Sequence, residues 1–352
     1  MRNPLLSLCA LLALVAFSTS VRAGDLPSPD NAPPGQQLLG EPLGTAVNAV
    51  NGGAWGINAD IPNVNGTSQT TTASDSNGNV YVIGGGAGPG PDVTLNTLWM
   101  YSPPDDTWTQ MANVPTPLRA FGAVAVVSTP LTGKFADQFY VFGGFNGVSP
   151  INTLNIYDVG SDAWSTGTSI PPTGGGFGAA VCVVNGRIFV AGGSGGAFSA
   201  FEYDPGSDSY TAIAPLPAPG GVRSHGAGVD DLNECHTFGF SFDSTNHYIY
   251  DVDANVWTVG PPMPVGVTDP AVVTLGTDIY VIGGFCPFMA CEIARTQIFN
   301  ALDRTWSNGP DLPGPLNNTS GTLAIDTIYV EGGYDGEIMQ SVPVNYSLFV
   351  GP

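Results

Sequence analysis

Short runs of aliphatic and aromatic residues that end in two glycines recur along the chain. Such runs, bounded by Gly, Pro, Asn and Asp, are typical of short strands joined by tight turns. Five copies are clear and a sixth keeps only its first glycine, so the pattern predicts six similar β units. The runs are VYVIGG (80–85), FYVFGG (139–144), IFVAGG (188–193), IYVIGG (279–284), IYVEGG (328–333) and the weaker HTFGFS (236–241).

A second pattern follows five of these runs. An aromatic residue is followed by a polar turn of six residues, by another aromatic residue seven positions on, and by a proline seven positions after that. Self-similarity of this kind indicates a repeat architecture. The aromatic pairs are Tyr101 and Trp108, Tyr157 and Trp164, Tyr203 and Tyr210, Tyr250 and Trp257, and Phe299 and Trp306; the prolines are Pro115, Pro171, Pro217, Pro264 and Pro313.

Each unit is predicted to be a four-stranded antiparallel sheet. A strand of small residues, such as FGAAVCVV at 177–184, runs innermost, where the sheets crowd together. The run ending in glycines comes second, because glycine permits close backbone approach and positive φ. The first aromatic residue lies on the third strand and the tryptophan on the fourth. The proline then ends the outer strand, since it cannot donate a ladder hydrogen bond.

The repeat resembles a known family. The first glycines lie at 84, 143, 192, 239, 283 and 332, and this period, with the Gly-Gly, Tyr and Trp positions, resembles kelch repeats. The resemblance covers about Asn48 to Tyr346. It implies an all-β fold, a six-bladed kelch-type β-propeller. The fourth unit departs from the pattern because Phe240 replaces its second glycine.

The N-terminal Trp55 completes the sixth unit. The last unit has Tyr346, but its tryptophan would be residue 353 and the chain stops at Pro352. Trp55, followed seven residues later by Pro62, supplies the missing outer strand. The sequence therefore predicts a single domain over 48–352, in which the N-terminal strand closes the ring and removes two open sheet edges.

The first 47 residues are predicted to lie outside this domain. Residues 1–23 combine an early arginine, a short apolar run and small residues at a cleavage site, which is the pattern of a secretory signal peptide. Residues 24–47 are rich in proline and polar residues and are predicted to be a flexible lead-in. No later segment has the roughly 20 continuous apolar residues of a membrane span. We expect a secreted or periplasmic protein.

The net charge excludes two classes of partner. The formal charge is −21, and removing residues 1–23, which hold two arginines and no acid, leaves 6 basic and 29 acidic residues, or −23. Nucleic acids and anionic lipid surfaces are bound by clustered lysine and arginine. Lys134 is the only lysine. We therefore expect neither partner.

Four cysteines remain after the predicted cleavage, and an even number in an exported chain suggests disulfides. Cys286 and Cys291 lie within one short loop and are the favoured pair. Cys182 with Cys235 follows only by elimination. An alternative keeps Cys182 and Cys235 as buried thiols beside one loop disulfide.

Many acidic residues fall in the turns at one end of the predicted sheets. Asp and Asn stabilise tight turns by accepting hydrogen bonds from the backbone. The stretch Asp251-Val-Asp253-Ala-Asn255 also resembles the start of a calcium loop, but it lacks the glycine and the final acid of that motif. We therefore interpret these residues as turn residues and predict no metal site.

The opposite end of the sheets carries the candidate ligand-binding residues. In an antiparallel sheet the loop after the glycines and the loop between blades must emerge together. Two arginines there could bind a carboxylate or hold the loops through their carbonyl groups. The candidates are Arg119, Phe121, Phe145, Phe177, Arg223, His225, Asp269, Phe285, Asn318 and Tyr334.

These residues favour a binding scaffold over an enzyme. We expect a monomer without a cofactor that binds a protein or glycan at the mouth of the central channel. The alternative is a carbohydrate-active enzyme, mutarotase-, epimerase- or oxidase-like, with Glu331 or Glu337 as an acid/base beside Arg119 or Arg223. A structural envelope or matrix component is a third possibility. The sequence has no phosphate loop, no Gly-x-Ser-x-Gly nucleophile elbow and no paired metal-ligand spacing that would support catalysis.

Overall fold

The computed structural model describes residues 53–89, 93–119, 123–131, 134–172, 176–194, 198–217, 226–239 and 245–351. The predicted signal peptide and lead-in lie outside these residues and stay predictions. Within the described ranges the regular secondary structure consists of β-strands. None of these ranges contains a helix whose length and apolar character would let it cross a membrane.

Six four-stranded antiparallel sheets, numbered here as blades 1 to 6 in chain order, make up the fold. From the innermost strand outward, blade 1 is Thr71–Ser74, Val80–Ile83, Leu98–Ser102 and Thr107–Gln110; blade 2 is Ala123–Leu131, Lys134–Phe142, Leu154–Asp158 and Ala163–Gly167; blade 3 is Ala179–Val184, Arg187–Gly192, Ala200–Asp204 and Ser209–Ala212; blade 4 is Gly226–Val229, Glu234–Phe238, His247–Asp251 and Val256–Val259; blade 5 is Ala271–Leu275, Asp278–Ile282, Thr296–Asn300 and Thr305–Asn308; blade 6 is Ser320–Ala324, Thr327–Glu331, Asn345–Phe349 and Gly56–Ile57.

The innermost strands form a closed ring. Each one contacts the innermost strand of the next blade, and that of blade 6 contacts that of blade 1. The predicted six-bladed propeller is therefore confirmed, with the aromatic pairs on the third and fourth strands of blades 1 to 5.

The N-terminal strand completes blade 6, as predicted. Gly56 pairs with Ser347 and Ile57 with Tyr346, so the predicted pairing of Trp55 with Tyr346 is wrong in register. Leu348, which pairs with Ile328 as Phe299 pairs with Ile279, takes the place of the third-strand aromatic residue. The indole Nε1 of Trp55 donates a hydrogen bond to the carbonyl oxygen of Pro310 in blade 5, at 2.9 Å. Its ring packs against the apolar cluster between blades 5 and 6. Trp55 thus does for blade 6 what the fourth-strand tryptophans do elsewhere.

Neighbouring blades are joined by a repeated set of hydrogen bonds, which we call the blade clamp. In blade 2, Oδ1 of Asp162 accepts from the buried Tyr157 hydroxyl at 2.7 Å and from the Ala112 N–H of blade 1 at 2.8 Å. The indole of Trp164 donates to the Ala112 carbonyl oxygen, also at 2.8 Å. Ala112, just beyond the outer strand of blade 1, is therefore held at both its amide and its carbonyl group.

The clamp recurs with small variations. The residue that accepts both bonds lies five positions after the tyrosine and has a φ of 48 to 52°, a left-handed conformation that Asp and Asn adopt more readily than other side chains. Blade 5 keeps only the tryptophan bond, from Trp306 to the Pro261 carbonyl oxygen. Phe299 has no hydroxyl group, Arg304 replaces the accepting Asp or Asn, and Pro261 has no N–H to donate. In blade 1, Tyr101, Asp106 and Trp108 form the clamp with Ala59. In blade 3, Tyr203 and Asp208 form it with Thr168, and Tyr210 replaces the tryptophan. In blade 4, Tyr250, Asn255 and Trp257 form it with Ala214.

The first glycine of each pair allows the next inter-blade loop to lie against the sheet. Gly143 and Gly283 have φ of 66° and 65°. A Cβ atom would lie 2.6 Å from the Gly176 oxygen in the first case and 2.7 Å from the Leu316 oxygen in the second. Both positions therefore require glycine for conformation and for space.

The disulfide pairing differs from the favoured prediction. Cys182 of blade 3 is bonded to Cys235 of blade 4, with Cα atoms 6.0 Å apart. Cys286 and Cys291 face each other across a two-stranded hairpin but are not bonded, and the Cys286 side chain packs into the apolar cluster between blades 4 and 5. Closeness in sequence suggested Cys286 with Cys291, whereas the contact between blades 3 and 4 brings Cys182 and Cys235 together.

Replacing Trp55 tests ring closure. Trp55→Ala should lower the free energy of unfolding by about 2 to 4 kcal/mol, because the variant loses indole packing and one hydrogen bond. Trp55→Phe should lose about 1 kcal/mol, since it keeps a packed ring. Denaturant unfolding measures both, and an unchanged midpoint for Trp55→Ala would show that this strand does not complete blade 6.

Replacing Asp162 tests the blade clamp. Asp162→Ala should cost about 2 kcal/mol, because the buried Tyr157 hydroxyl loses its acceptor and the Ala112 amide loses its partner. Asp162→Asn should be nearly neutral, since Asn255 fills the same position in blade 4. Thermal or denaturant unfolding gives both values, and equal losses in the two variants would argue against a hydrogen-bonding role.

Candidate functional site

Two sets of loops emerge on one face of the propeller. The loop between the second and third strands of a blade bonds to the loop that enters that blade. Arg119 and Phe145 exchange two backbone hydrogen bonds of 2.9 Å, and Thr268 and Phe285 exchange two of 2.8 Å. We call this side the hairpin face, because three of its loops are two-stranded hairpins: Gly86–Ala87 with Val93–Thr94, Phe285–Cys286 with Cys291–Glu292, and Tyr334–Asp335 with Gln340–Ser341.

Seven of the ten predicted ligand-binding residues lie on this face within the described residues. All seven are partly exposed: Arg119, Phe145, Phe177, Asp269, Phe285, Asn318 and Tyr334. Phe121, Arg223 and His225 lie outside the described residues. Five of the seven fall into two groups, whereas Phe285 and Tyr334 bond through their backbones to Thr268 and Asn317.

The first group lies at the entrances to blades 2 and 3. The guanidinium of Arg119 lies over the ring of Phe145, 5.2 Å from its centroid. The Phe145 ring meets Phe177 edge to face, with centroids 6.3 Å apart. A cation held against an aromatic face is favoured by the ring quadrupole. This group therefore offers a positive charge beside an apolar surface.

The second group is an arc of polar residues at the entrances to blades 5, 6 and 1. The Asn318 N–H donates to the Asp269 carbonyl oxygen at 3.1 Å, and the Gln69 N–H donates to the Asn318 carbonyl oxygen at 2.7 Å. All three residues have φ between 51 and 57°. Their partly exposed side chains offer amide and carboxyl groups side by side. We call these three residues the polar arc.

Sequence reasoning missed Gln69. It stands two residues before the first strand of blade 1, as Asp269 and Asn318 stand before those of blades 5 and 6. This shared offset could have identified it.

A carboxyl group that the sequence did not single out supports the polar arc. Oε1 of Glu292 accepts a hydrogen bond from Asn317 Nδ2 at 2.9 Å, and the Asn318 amide in turn bonds to Asn317. Burial, and then the charge of Asp335, raise the pKa of Glu292 above its usual value. Burial and these two carboxyl groups also raise the pKa of the Tyr334 hydroxyl.

Exposed apolar side chains are concentrated on the hairpin face. Phe288 is 98% exposed and Val148 is 87% exposed, each at a loop tip. Among the described residues, eight large apolar side chains are exposed on the loops of this face and three on the turns of the opposite face. The eight, which we call the apolar rim, are Val64, Val93, Val148, Phe198, Phe288, Met289, Ile338 and Met339; the three are Leu232, Leu302 and Ile325.

The acidic turns of the opposite face have structural partners. Asp251 accepts from the backbone N–H of Ala254, and Asn255 accepts the two bonds of its blade clamp. Asp251 and Asn255, two of the three side chains that resemble the start of a calcium loop, are therefore engaged in turn formation and in inter-blade bonding.

Blade 4 contains a buried polar network with metal-ligand chemistry. Asp230, Glu234 and His236 each place one ligand atom within 4.8 Å of the others. Asp230 bonds His236 at 3.1 Å, His236 bonds His247 at 2.9 Å, and Arg304 forms an ion pair with Glu234. Burial, and then the charges of His236 and Arg304, lower the pKa of His247 to about 3. Each of these polar groups therefore has a hydrogen-bond or ion-pair partner within the protein. A similar buried bond joins the Tyr81 hydroxyl to Asp75 in blade 1.

The two glutamates considered for catalysis differ in access. Glu331 is fully buried, whereas Glu337 is exposed at the tip of a hairpin. A ligand on the hairpin face could therefore reach Glu337 but not Glu331.

Comparison with known proteins agrees with the repeat. The kelch motif matches residues 76–115, 134–171, 176–217 and 267–313, which fall on blades 1, 2, 3 and 5. Among solved structures, YjhT aligns with a TM-score of 0.64 and 14% identity over 83% of this chain and 96% of that one. At this identity the similarity concerns the fold alone.

Curated relatives include kelch-like proteins of fungi and animals. The chain is 26% identical over 261 residues to Kelch-like protein terF of Aspergillus terreus, covering 68% of this chain and 55% of the relative. It is 27% identical over 244 residues to Kelch-like protein 25 of Xenopus tropicalis, covering 64% and 38% respectively. The chain thus spans about half or less of these relatives. The six blades, their repeated residues and these matches show that the chain belongs to the kelch-repeat family of β-propellers.

Proposed function

We propose that the protein is an exported scaffold that binds a protein partner on its hairpin face, over the mouth of the central channel. Kelch-repeat propellers typically serve as protein-interaction scaffolds. Export is supported by the signal-peptide pattern of residues 1–23.

The apolar rim is the observation that carries this proposal. Exposed apolar clusters on a soluble protein mark interaction surfaces, because covering them removes apolar area from water at about 25 cal/mol per Å². Five of the six blades contribute to the rim, so a partner lying across it would contact several blades at once. The opposite face instead holds acids engaged in turns and blade clamps.

The groups inside the rim supply specificity. A partner with apolar side chains at its periphery would meet the polar arc on one side and the Arg119–Phe145 stack on the other. Buried hydrogen-bonding groups discriminate between partners because an unmatched group is left without a bond. The strong negative charge of the chain favours partners that are not themselves acidic.

A sugar ligand is the second candidate, and the polar arc favours it. Adjacent amide and carboxyl groups suit a ligand with several hydroxyl groups, and Glu292 lies next to them with a raised pKa. The enzyme alternative would use this same region. Glycan binding would depend on the polar arc, whereas protein binding would depend on the apolar rim.

Paired substitutions on the two faces test protein binding. A photo-crosslinker at position 148 captures the partner from native extracellular fluid, and the purified partner is then titrated against variants. Phe288→Ser with Val148→Ser should weaken binding by tenfold or more, about 1.4 kcal/mol, because two exposed apolar contacts are lost.

The control removes two exposed leucines from the opposite face, Leu232 at 45% and Leu302 at 68% exposure. Leu232→Ser with Leu302→Ser should leave the affinity unchanged. If this control weakens binding while the rim variant does not, the partner binds the opposite face and the proposal is wrong.

Substitution in the polar arc tests the sugar candidate. Free sugars are titrated by calorimetry, and the same panel is followed for anomer exchange and for peroxide release. If a sugar binds there, Asp269→Asn should weaken its binding about tenfold, because a charged hydrogen bond is lost. The rim variant should bind that sugar normally. A sugar bound equally by wild type and Asp269→Asn would lie elsewhere.

A further inference from the structure

Blade 6 carries a carboxyl group at a position that is apolar in the other five blades. Glu331 is the last residue of its second strand, directly before the first glycine of the pair. It has no exposed surface, and neither carboxyl oxygen has a hydrogen-bond partner among the described residues. The equivalent residues, all buried, are Ile83, Phe142, Ala191, Phe238 and Ile282.

The Glu331 side chain faces the seam that closes the ring. Alternate residues of a strand share a face, so Glu331 lies on the same side as Tyr329. Tyr329 contacts Tyr101 of blade 1, with ring centroids 5.9 Å apart. Ile328 and Val330, on the other side of the strand, pack into the cluster with blade 5. Glu331 therefore points toward blade 1.

The residues directly opposite Glu331 in its own sheet are already engaged. Ser320 and Asn345 are its register partners. Ser320 shares a hydroxyl hydrogen bond of 2.7 Å with Thr70 of blade 1. Asn345 accepts a hydrogen bond of 3.1 Å from Asn58, which follows the closing strand. The carboxyl group thus lies between two contacts that join the chain ends.

This closing seam combines hydroxyl groups with a small apolar cluster. Hydroxyl groups line both of its innermost strands, and Ser74 donates to the Leu323 carbonyl oxygen at 2.7 Å. Its buried apolar cluster consists of Val80, Tyr101, Ala324 and Tyr329, and is smaller than the cluster between blades 5 and 6. Little apolar packing would therefore hold this seam closed against a buried charge.

Within the part of the chain that the structure describes, no charged partner offsets an ionised Glu331. None of the ion pairs within the described residues includes it. The titratable groups facing it are Tyr329 on its own strand and Tyr101 from blade 1, which donates to Asp106. Burial raises the pKa of Tyr329 to about 12, so that hydroxyl stays neutral. The innermost strands Ser320–Ala324 and Thr71–Ser74 hold no titratable residue, and the third strand places the neutral Asn345 opposite Glu331.

Burial of Glu331 makes the free energy of unfolding depend on pH. Burial raises the pKa of Glu331 well above its usual range. The folded chain therefore holds a proton that the unfolded chain releases near the ordinary carboxyl pKa. Stability is highest below that ordinary value and falls as pH rises toward the raised one.

We infer that Glu331 is a proton-operated latch on the ring: the seam between blades 6 and 1 stays tight while its carboxyl group carries a proton and loosens when the proton is lost. The latch is independent of the proposed function. It would make ring closure sensitive to the pH of the surrounding compartment.

Denaturant unfolding between pH 4 and pH 9 tests the latch. The wild-type ratio of folded to unfolded protein should fall by up to tenfold per pH unit above the ordinary carboxyl range, relative to Glu331→Gln and Glu331→Ile. Both variants should be more stable than wild type at pH 8. The exposed Glu337→Gln, in the same blade, should follow the wild type.

Hydrogen exchange locates the effect, after correction for the intrinsic pH dependence of exchange. With rising pH, amides of Ser320–Ala324 and Thr71–Ser74 in the wild type should lose protection, while those of Ala179–Val184 in blade 3 should not. Glu331→Ile should abolish this difference.

Two results would overturn the inference. The first is that both Glu331 variants are less stable than wild type at pH 8, which would mean that the carboxylate has a stabilising partner. The second is that both retain the pH dependence of the wild type, which would assign it to another group.

Discussion

Four of the six blades each use one Asp or Asn side-chain oxygen to bond to the preceding blade. This residue lies five positions after a buried tyrosine. The six sheets share no strand ladder with one another, so side chains and loops must hold the ring together. In the blade clamp, a single Asp or Asn oxygen accepts from its own tyrosine and from a backbone N–H of the preceding blade, and the nearby tryptophan bonds the carbonyl group of that same residue. The bonds fix the distance between blades, and the aromatic rings then fill the space between them.

The blade clamp makes the two faces of the propeller different in composition. The clamp places acids in the turns between the third and fourth strands, where they complete hydrogen bonds within the protein. The hairpin face is free of that requirement, and there the chain places its apolar rim, the polar arc and the Arg119–Phe145 stack. Blade 6, which the N-terminal strand completes, meets blade 1 at a seam lined by hydroxyl groups. Glu331 lies in that seam.

The sequence predicts the fold well because the clamp repeats at fixed spacing. Tyr157 and Trp164 are register partners seven residues apart, and the same interval recurs in blades 1 to 5. Its absence from the last unit led to Trp55 as the missing strand. The same turns contain Asp162, which sequence reasoning treated as a turn residue, because its bond to another blade requires the assembled ring. The polar arc joins Gln69, Asp269 and Asn318 from three blades. Its members, like the Cys182–Cys235 pair, come together only through contacts between sheets. Glu331 occurs in a recognisable strand, but its isolation depends on what blade 1 places opposite it.

The central claim is that side-chain clamps, beyond apolar packing, hold neighbouring blades together. Native-state hydrogen exchange at the backbone amides of Ala59, Ala112, Thr168 and Ala214 tests it most directly. These amides lie outside every strand ladder, and each donates to an Asp or Asn side chain of the next blade. The account predicts that they exchange only when the ring opens, with protection close to that of the innermost strands. Exchange as fast as in exposed turns would contradict it, because the clamps would then open freely while the ring stays closed.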